Sequence, residues 1–242
     1  MYLLKFYAIV LCFKSVKTVK EHESPYIAHL MISCSEGVDT FYGCGASIVN
    51  QLAVLTAAHC LNNCVEERTD IIIKTGDTDL KKTKASSSSH FIMHEHFEIR
   101  EFLNDIAVVF VNKEFTLDAT VQRVALVKKG MEGTAVVAGW GGLDTTAEKL
   151  EVQYKTQKIL DDATCMMILK AELRNMICGL AKETKDREHY VTTGDSGSAL
   201  MVRNLIQAGL VSFKFPSNNK VTIFTNVPNF YGWIKKTIIK NC

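Results

Sequence analysis

Thr193-Gly194-Asp195-Ser196-Gly197-Ser198-Ala199 is the stretch on which the reading of this chain turns. Glycine tolerates dihedral angles that other residues avoid, so a serine between glycines ordinarily marks a turn. Taken alone, Gly-Asp-Ser-Gly is a weak signal. It also misses the Gly-x-Ser-x-Gly nucleophile elbow, because Ser198 stands at the second glycine position. Two upstream stretches change its meaning. Thr56-Ala57-Ala58-His59-Cys60 follows an apolar run, and Asn104-Asp105-Ile106-Ala107-Val108-Val109 opens another. Each residue alone has an ordinary explanation: a core histidine, a strand-start cap, a turn serine. Histidine, aspartate and serine in this order, with these neighbours, do not arise casually.

The 242 residues suit one large domain or two small ones with a substantial core. A net charge of +2 gives no basis for a nucleic-acid surface or a polybasic membrane patch. Eight cysteines point to an oxidising compartment. Residues 1–13 read as a signal peptide, with a charged start at Lys5 and a short apolar core from Phe6 to Phe13. That core is too short to span a bilayer. The expectation is a secreted, extracellular protein without a membrane span.

Beyond the signal the pattern is all-β. Ala46 to Val49 and Ala53 to Leu55 flank Asn50-Gln51 as a hairpin. Further short strands are expected at Asp70 to Lys74, Asp105 to Val111, Ala135 to Ala138, Glu151 to Gln157, Gln207 to Val211 and Val221 to Thr225. The polar run Lys81 to Ser89 separates two of them, and Ser86 to Ser89 reads as a loop. After Pro228, Phe230, Trp233, Ile234 and Ile238 recur at helical spacing, predicting a terminal helix over 228–240.

At the three motifs the chain resembles the trypsin/chymotrypsin-like serine protease family, from Pro25 to Ile234. The family's triad combines a nucleophile, a base and an orienting carboxylate. The resemblance implies two six-stranded antiparallel β-barrels with a C-terminal helix, chymotrypsin-like, and an active site in the cleft between them. The peptidase domain is expected over 14–242, with barrels at about 26–116 and about 130–227. Ser196 is the implied nucleophile and His59 its base. Asp105 orients the histidine, and Ser212 supports the aspartate. The N–H groups of Gly194 and Ser196 form the oxyanion hole. Protein or peptide substrates and protein inhibitors are the implied partners, for a monomer without cofactor. The resemblance also implies the disulfides Cys44–Cys60 and Cys165–Cys178, and leaves Cys34 to pair with Cys64. Cys242 has no assigned partner. His90, His94 and His96 crowd one segment but read as structural histidines, so no metal is expected.

The chain departs from the family at the substrate pocket. The position six residues before the serine is Tyr190, followed by Val191. An alignment with an insertion would place Asp186 there instead. Phe213 stands for the usual tryptophan, and Lys214 and Thr222 replace wall glycines, which predicts poor cleavage after Lys and Arg. Two readings follow: a serine endopeptidase working through an acyl-enzyme, or a protease-like binding protein with little turnover. The intact set of three favours the enzyme.

Activation departs too. The family pairs a newly released N-terminal ammonium with the aspartate beside the serine, here Asp195. The expected Ile-Val-Gly-Gly is missing, since the region reads Phe13-Lys14-Ser15-Val16-Lys17-Thr18-Val19. Three outcomes fit Asp195: cleavage after Lys14 or Lys17, insertion of the end left by signal peptidase, or pairing with another cation. The expectation is a mature N-terminus between Phe13 and Thr18 that does not form the deep pair. The oxyanion hole would then be only partly ordered and Asp195→Asn nearly neutral.

Overall fold

The structure is a computed structural model that describes residues 24–34, 41–142, 150–170, 172–182, 190–204, 206–215 and 218–241. The expected signal segment and cleavage region, Asp186 and Cys242 lie outside the described residues.

Six antiparallel strands close the first barrel: β1 (Ile27–Ser33), β2 (Tyr42–Ile48), β3 (Ala53–Thr56), β4 (Asp70–Thr75), β5 (Lys84–Met93) and β6 (Ala107–Val111). Six more close the second: β7 (Gly133–Gly139), β8 (Gln153–Ile159), β9 (Met176–Ala181), β10 (Ala199–Val202), β11 (Ile206–Lys214) and β12 (Val221–Asn226). Alternation sets which side chains enter each core. In β4, Ile71 and Ile73 turn inward while Ile72 and Lys74 are part-exposed. Each barrel holds its own apolar core, one around Leu30, Ile48 and Ile73, the other around Val137, Leu200 and Phe224.

A third apolar layer joins the barrels. Tyr26, Leu55, Val108, Trp140, Leu210 and Phe230 pack together there, capped by Ile234 of the terminal helix. That helix, α2 (Tyr231–Asn241), follows a 3-10 turn at Val227–Phe230, and Trp233 Nε1 donates to Glu95 Oε2 at 2.7 Å. The shorter helix α1 (Asp162–Leu169) starts where Asp161 accepts from the Thr164 N–H.

The expected serine loop is corrected here. Ser86 to Ser89 lie inside β5, with Ser86 opposite Ile73 and Ser87 opposite Ile72. Ladder pairing to β4 and β6 holds this strand, so its side chains need not be apolar. The strand expected at Glu151 to Gln157 runs two residues later, as β8. The terminal helix begins at Tyr231 rather than Pro228 because the intervening turn is 3-10. Three disulfides form as expected: Cys34–Cys64, Cys44–Cys60 and Cys165–Cys178.

Candidate active site

Asp105 is fully buried just ahead of β6. A buried carboxylate must be paired or hydrogen-bonded, and this one draws donors from both barrels. Its Oδ1 accepts from the His59 backbone N–H at 2.8 Å, and its Oδ2 meets His59 Nδ1 at 2.7 Å. Ser212 Oγ, on β11, donates to the same Oδ2 at 2.5 Å. Thr225 Oγ1, on β12, donates to the Asp105 carbonyl at 2.7 Å.

His59 sits in the 3-10 turn Ala58–Leu61 that follows β3, and the neighbouring Cys60 ties that turn to β2 through Cys44. A carboxylate on Nδ1 keeps the neutral ring's proton there and leaves Nε2 as the acceptor. The Phe102 ring stands edge-on to the imidazole at 5.6 Å and leans on Phe213 at 5.0 Å. Phe102 has a φ of 51°, an uncommon conformation for an aromatic residue.

The serine loop is held from both barrels. The Ser196 carbonyl accepts from Gly45 N on β2 at 2.7 Å, while Gly197 N donates to the Val211 carbonyl at 2.8 Å. Gly197 has a φ of +78°, and a side chain there would run into Thr56 and Gly45. Gly194 has a φ of +94°, and a Cβ would lie 3.2 Å from the Gly141 Cα. Among the described residues, the N–H groups of Gly194 and Ser196 donate to no protein acceptor. Two unclaimed donors flank the serine.

Behind the loop lies a buried ion pair. Lys155, on β8, and Asp195 are both fully buried. Lys155 Nζ reaches Asp195 Oδ1 at 2.7 Å and Oδ2 at 2.6 Å, and donates to the Gly141 carbonyl at 3.2 Å. The carboxylate also accepts from Gly141 N at 3.0 Å and Thr192 N at 2.8 Å. Burial pushes the Lys155 ammonium below its ordinary pKa, and the Asp195 charge opposes that shift.

The matching family model is Trypsin, over residues 14–234. The chain belongs to the trypsin family. Mast cell protease 8 of Mus musculus is 31% identical over 228 residues, covering 90% of this chain and 87% of that protein. Cathepsin G of Homo sapiens is 30% identical over 236 residues, covering 90% and 84%. A solved structure titled HL collagenase overlays with a TM-score of 0.75, over 89% of this chain and 94% of that one. At 22% identity it is a likeness of fold.

Against the trypsin-family expectations, the structure brings His59, Asp105 and Ser212 into direct hydrogen-bonded contact and hangs the Ser196 loop from β2. Of the residues expected to line a pocket, Lys214 and Thr222 are direct neighbours across β11 and β12, with Thr222 buried and Lys214 half-buried. Phe213 joins Phe102, Val191 packs in the second barrel's core, and Tyr190 is half-buried. His90 parts from His94 and His96, whose ring centroids lie 5.9 Å apart. His90 stacks on Phe110, while His94 lies against Phe230 and Trp233.

The expected mature N-terminus lies outside the described residues, but a cation for Asp195 does not. Of the three cation sources, the structure shows the third, a side chain. Lys155 was missed in the sequence, although a signal existed. It shares strand parity with Ile159, which faces inward, so its ammonium had to point into the barrel and needed a buried anion. Phe102 and Thr225 were missed because neither belongs to a motif.

Proposed function

We propose that this trypsin-family chain is a secreted serine endopeptidase working through His59, Asp105 and Ser196. The observation that carries the proposal is the fully buried Asp105 carboxylate, hydrogen-bonded to His59 Nδ1 and to Ser212 Oγ. In this reading His59 Nε2, which lies 3.9 Å from Cys60 Sγ, takes the Ser196 proton as the hydroxyl attacks a peptide carbonyl. Asp105 stabilises the imidazolium that results. The Gly194 and Ser196 N–H groups stabilise the negative charge developing on the carbonyl oxygen. The imidazolium then protonates the leaving amine, and water, deprotonated by the same nitrogen, releases the acyl group from Ser196.

Tyr190, Val191, Phe213, Lys214 and Thr222 shape the substrate pocket in this reading. The Phe102–Phe213 pair offers an apolar wall beside His59 to a substrate side chain. Incubation with a fluorophosphonate and intact-mass readout tests the proposal. One adduct, mapped to Ser196 and lost in Ser196→Ala, is expected. A wild-type chain that neither labels nor cleaves a peptide library would support the protease-like binding protein instead.

A further inference from the structure

The Lys155–Asp195 pair is an expensive device: removing two charges from water costs several kcal/mol per ion, recovered only through good geometry. Its geometry is complete. The ammonium's three protons match three acceptors, namely Asp195 Oδ1, Asp195 Oδ2 and the Gly141 carbonyl. The carboxylate is complete as well, since Oδ1 takes Lys155 and Gly141 N while Oδ2 takes Lys155 and Thr192 N. These contacts gather Gly141, Thr192 and Asp195, and Asp195 separates the two unclaimed donors Gly194 and Ser196. Glycines give the room: a side chain at Gly139 or Gly141 would collide with the Asp195 carboxylate. Asp195 N donates to the Thr192 carbonyl at 3.0 Å and Ser198 N to the Asp195 carbonyl at 2.9 Å, closing the loop around the pair.

We propose that Lys155 is a positioning residue which holds the Gly194–Ser196 donors in their working arrangement from within the folded chain, so that no released N-terminal ammonium is required. A second ammonium would meet a carboxylate already holding two hydrogen bonds from the Lys155 ammonium and two from backbone N–H groups, and would face a like charge in a buried site. The role in turnover rests on the serine-hydrolase reading of this site, whereas the fixing of the loop does not.

The test separates the two. The full chain is compared with Lys155→Met by amide hydrogen exchange, and by fluorophosphonate labelling and peptide turnover. In the variant, peptides spanning 190–199 are expected to exchange at least about tenfold faster, while those from β1, β2 and β4 stay unchanged. The labelling rate and kcat should fall about 10²-fold, the size of losing one oxyanion donor, with KM changed far less. In a second arm the wild-type chain carries a non-removable N-terminal extension, and it should label and exchange as the unextended chain does. Unaltered exchange over 190–199 in Lys155→Met overturns the proposal whatever the activity. So does labelling that the extended chain loses and the unextended chain keeps. If Lys155→Met does not fold, the extension arm decides through exchange over 190–199. A wild type without activity, combined with faster exchange in Lys155→Met, would sink the hydrolase reading and leave the loop's anchor standing.

Discussion

Ser212 Oγ and Asp105 Oδ2 lie 2.5 Å apart, joining β11 of the second barrel to the loop ahead of β6 in the first. This contact leaves Asp105 facing His59 with its Oδ2 already engaged. Ser212→Ala removes one donor to a buried carboxylate and leaves the His59 contacts. We expect kcat to fall about tenfold, equivalent to ~1.4 kcal/mol, with KM nearly constant. Steady-state kinetics on one peptide substrate would check it, and an unchanged kcat would count against the orienting role.

Ser196→Ala and His59→Ala should each lose several orders of magnitude in kcat. The double variant should lose little more, because the groups act as a unit. Additive losses in the double variant would contradict that.

Asp195→Asn should be damaging. It leaves the Lys155 ammonium buried without its counter-charge, a change that typically costs about 3–5 kcal/mol. Urea unfolding monitored by fluorescence measures the cost, and a change below ~1 kcal/mol would show that the pair contributes little.

His29 offers a pH signature. Burial, reinforced by the charge of Lys74, lowers its pKa from 6.5 to about 4, and its ring packs edge-on to Trp140 at 5.6 Å. The unfolded chain therefore binds a proton through the window from 6.5 down to about 4 while the folded chain does not. Stability from this group is full above the upper value and lost as pH falls through the window, by at most about 3 kcal/mol. Denaturant midpoints at several pH values should show the decline, and His29→Gln should flatten it.

Cleavage after Lys and Arg should be poor. The Lys214 ammonium and the Thr222 side chain occupy paired positions on β11 and β12, where they would repel or exclude a basic side chain. A peptide library should favour small or apolar residues by at least about tenfold in kcat/KM, ~1.4 kcal/mol. Efficient turnover of an arginyl substrate that Asp186→Ala abolishes would show that the gapped alignment of the pocket was the right one.

Much of this was legible in the chain because short motifs carry dense constraints. Gly194 and Gly197 announce positive φ angles, and Asp105 and His59 head or follow apolar strands whose burial places them. The cysteine pairs were legible through resemblance alone. Ser86 to Ser89 were not, because pairing between neighbouring strands, invisible in one segment, outweighs weak local preference. Helix α1 escaped because its Cys-Met-Met-Ile-Leu run has no clear helical face and only Cys165 is buried. Lys155 is the instructive miss. Its partner lies 40 residues away, and only the inward parity of Ile159 hinted that a charge had entered the core.

The Gly45–Ser196 hydrogen bond has a mechanical consequence. The Ser196 loop belongs to the second barrel and hangs from a strand of the first, the barrel that carries His59 and Asp105. Alignment between barrels is therefore a kinetic quantity, since a displacement near 1 Å at a reacting centre can cost about 10²-fold in rate. Equal cavities should then have unequal effects. Leu55→Ala, in the apolar layer that joins the barrels, and Ile71→Ala, in the first barrel's own core, should both reduce stability by about 2–5 kcal/mol. Under conditions where both remain folded, only Leu55→Ala should also slow turnover, because it alone loosens the bearing on which the two halves keep register.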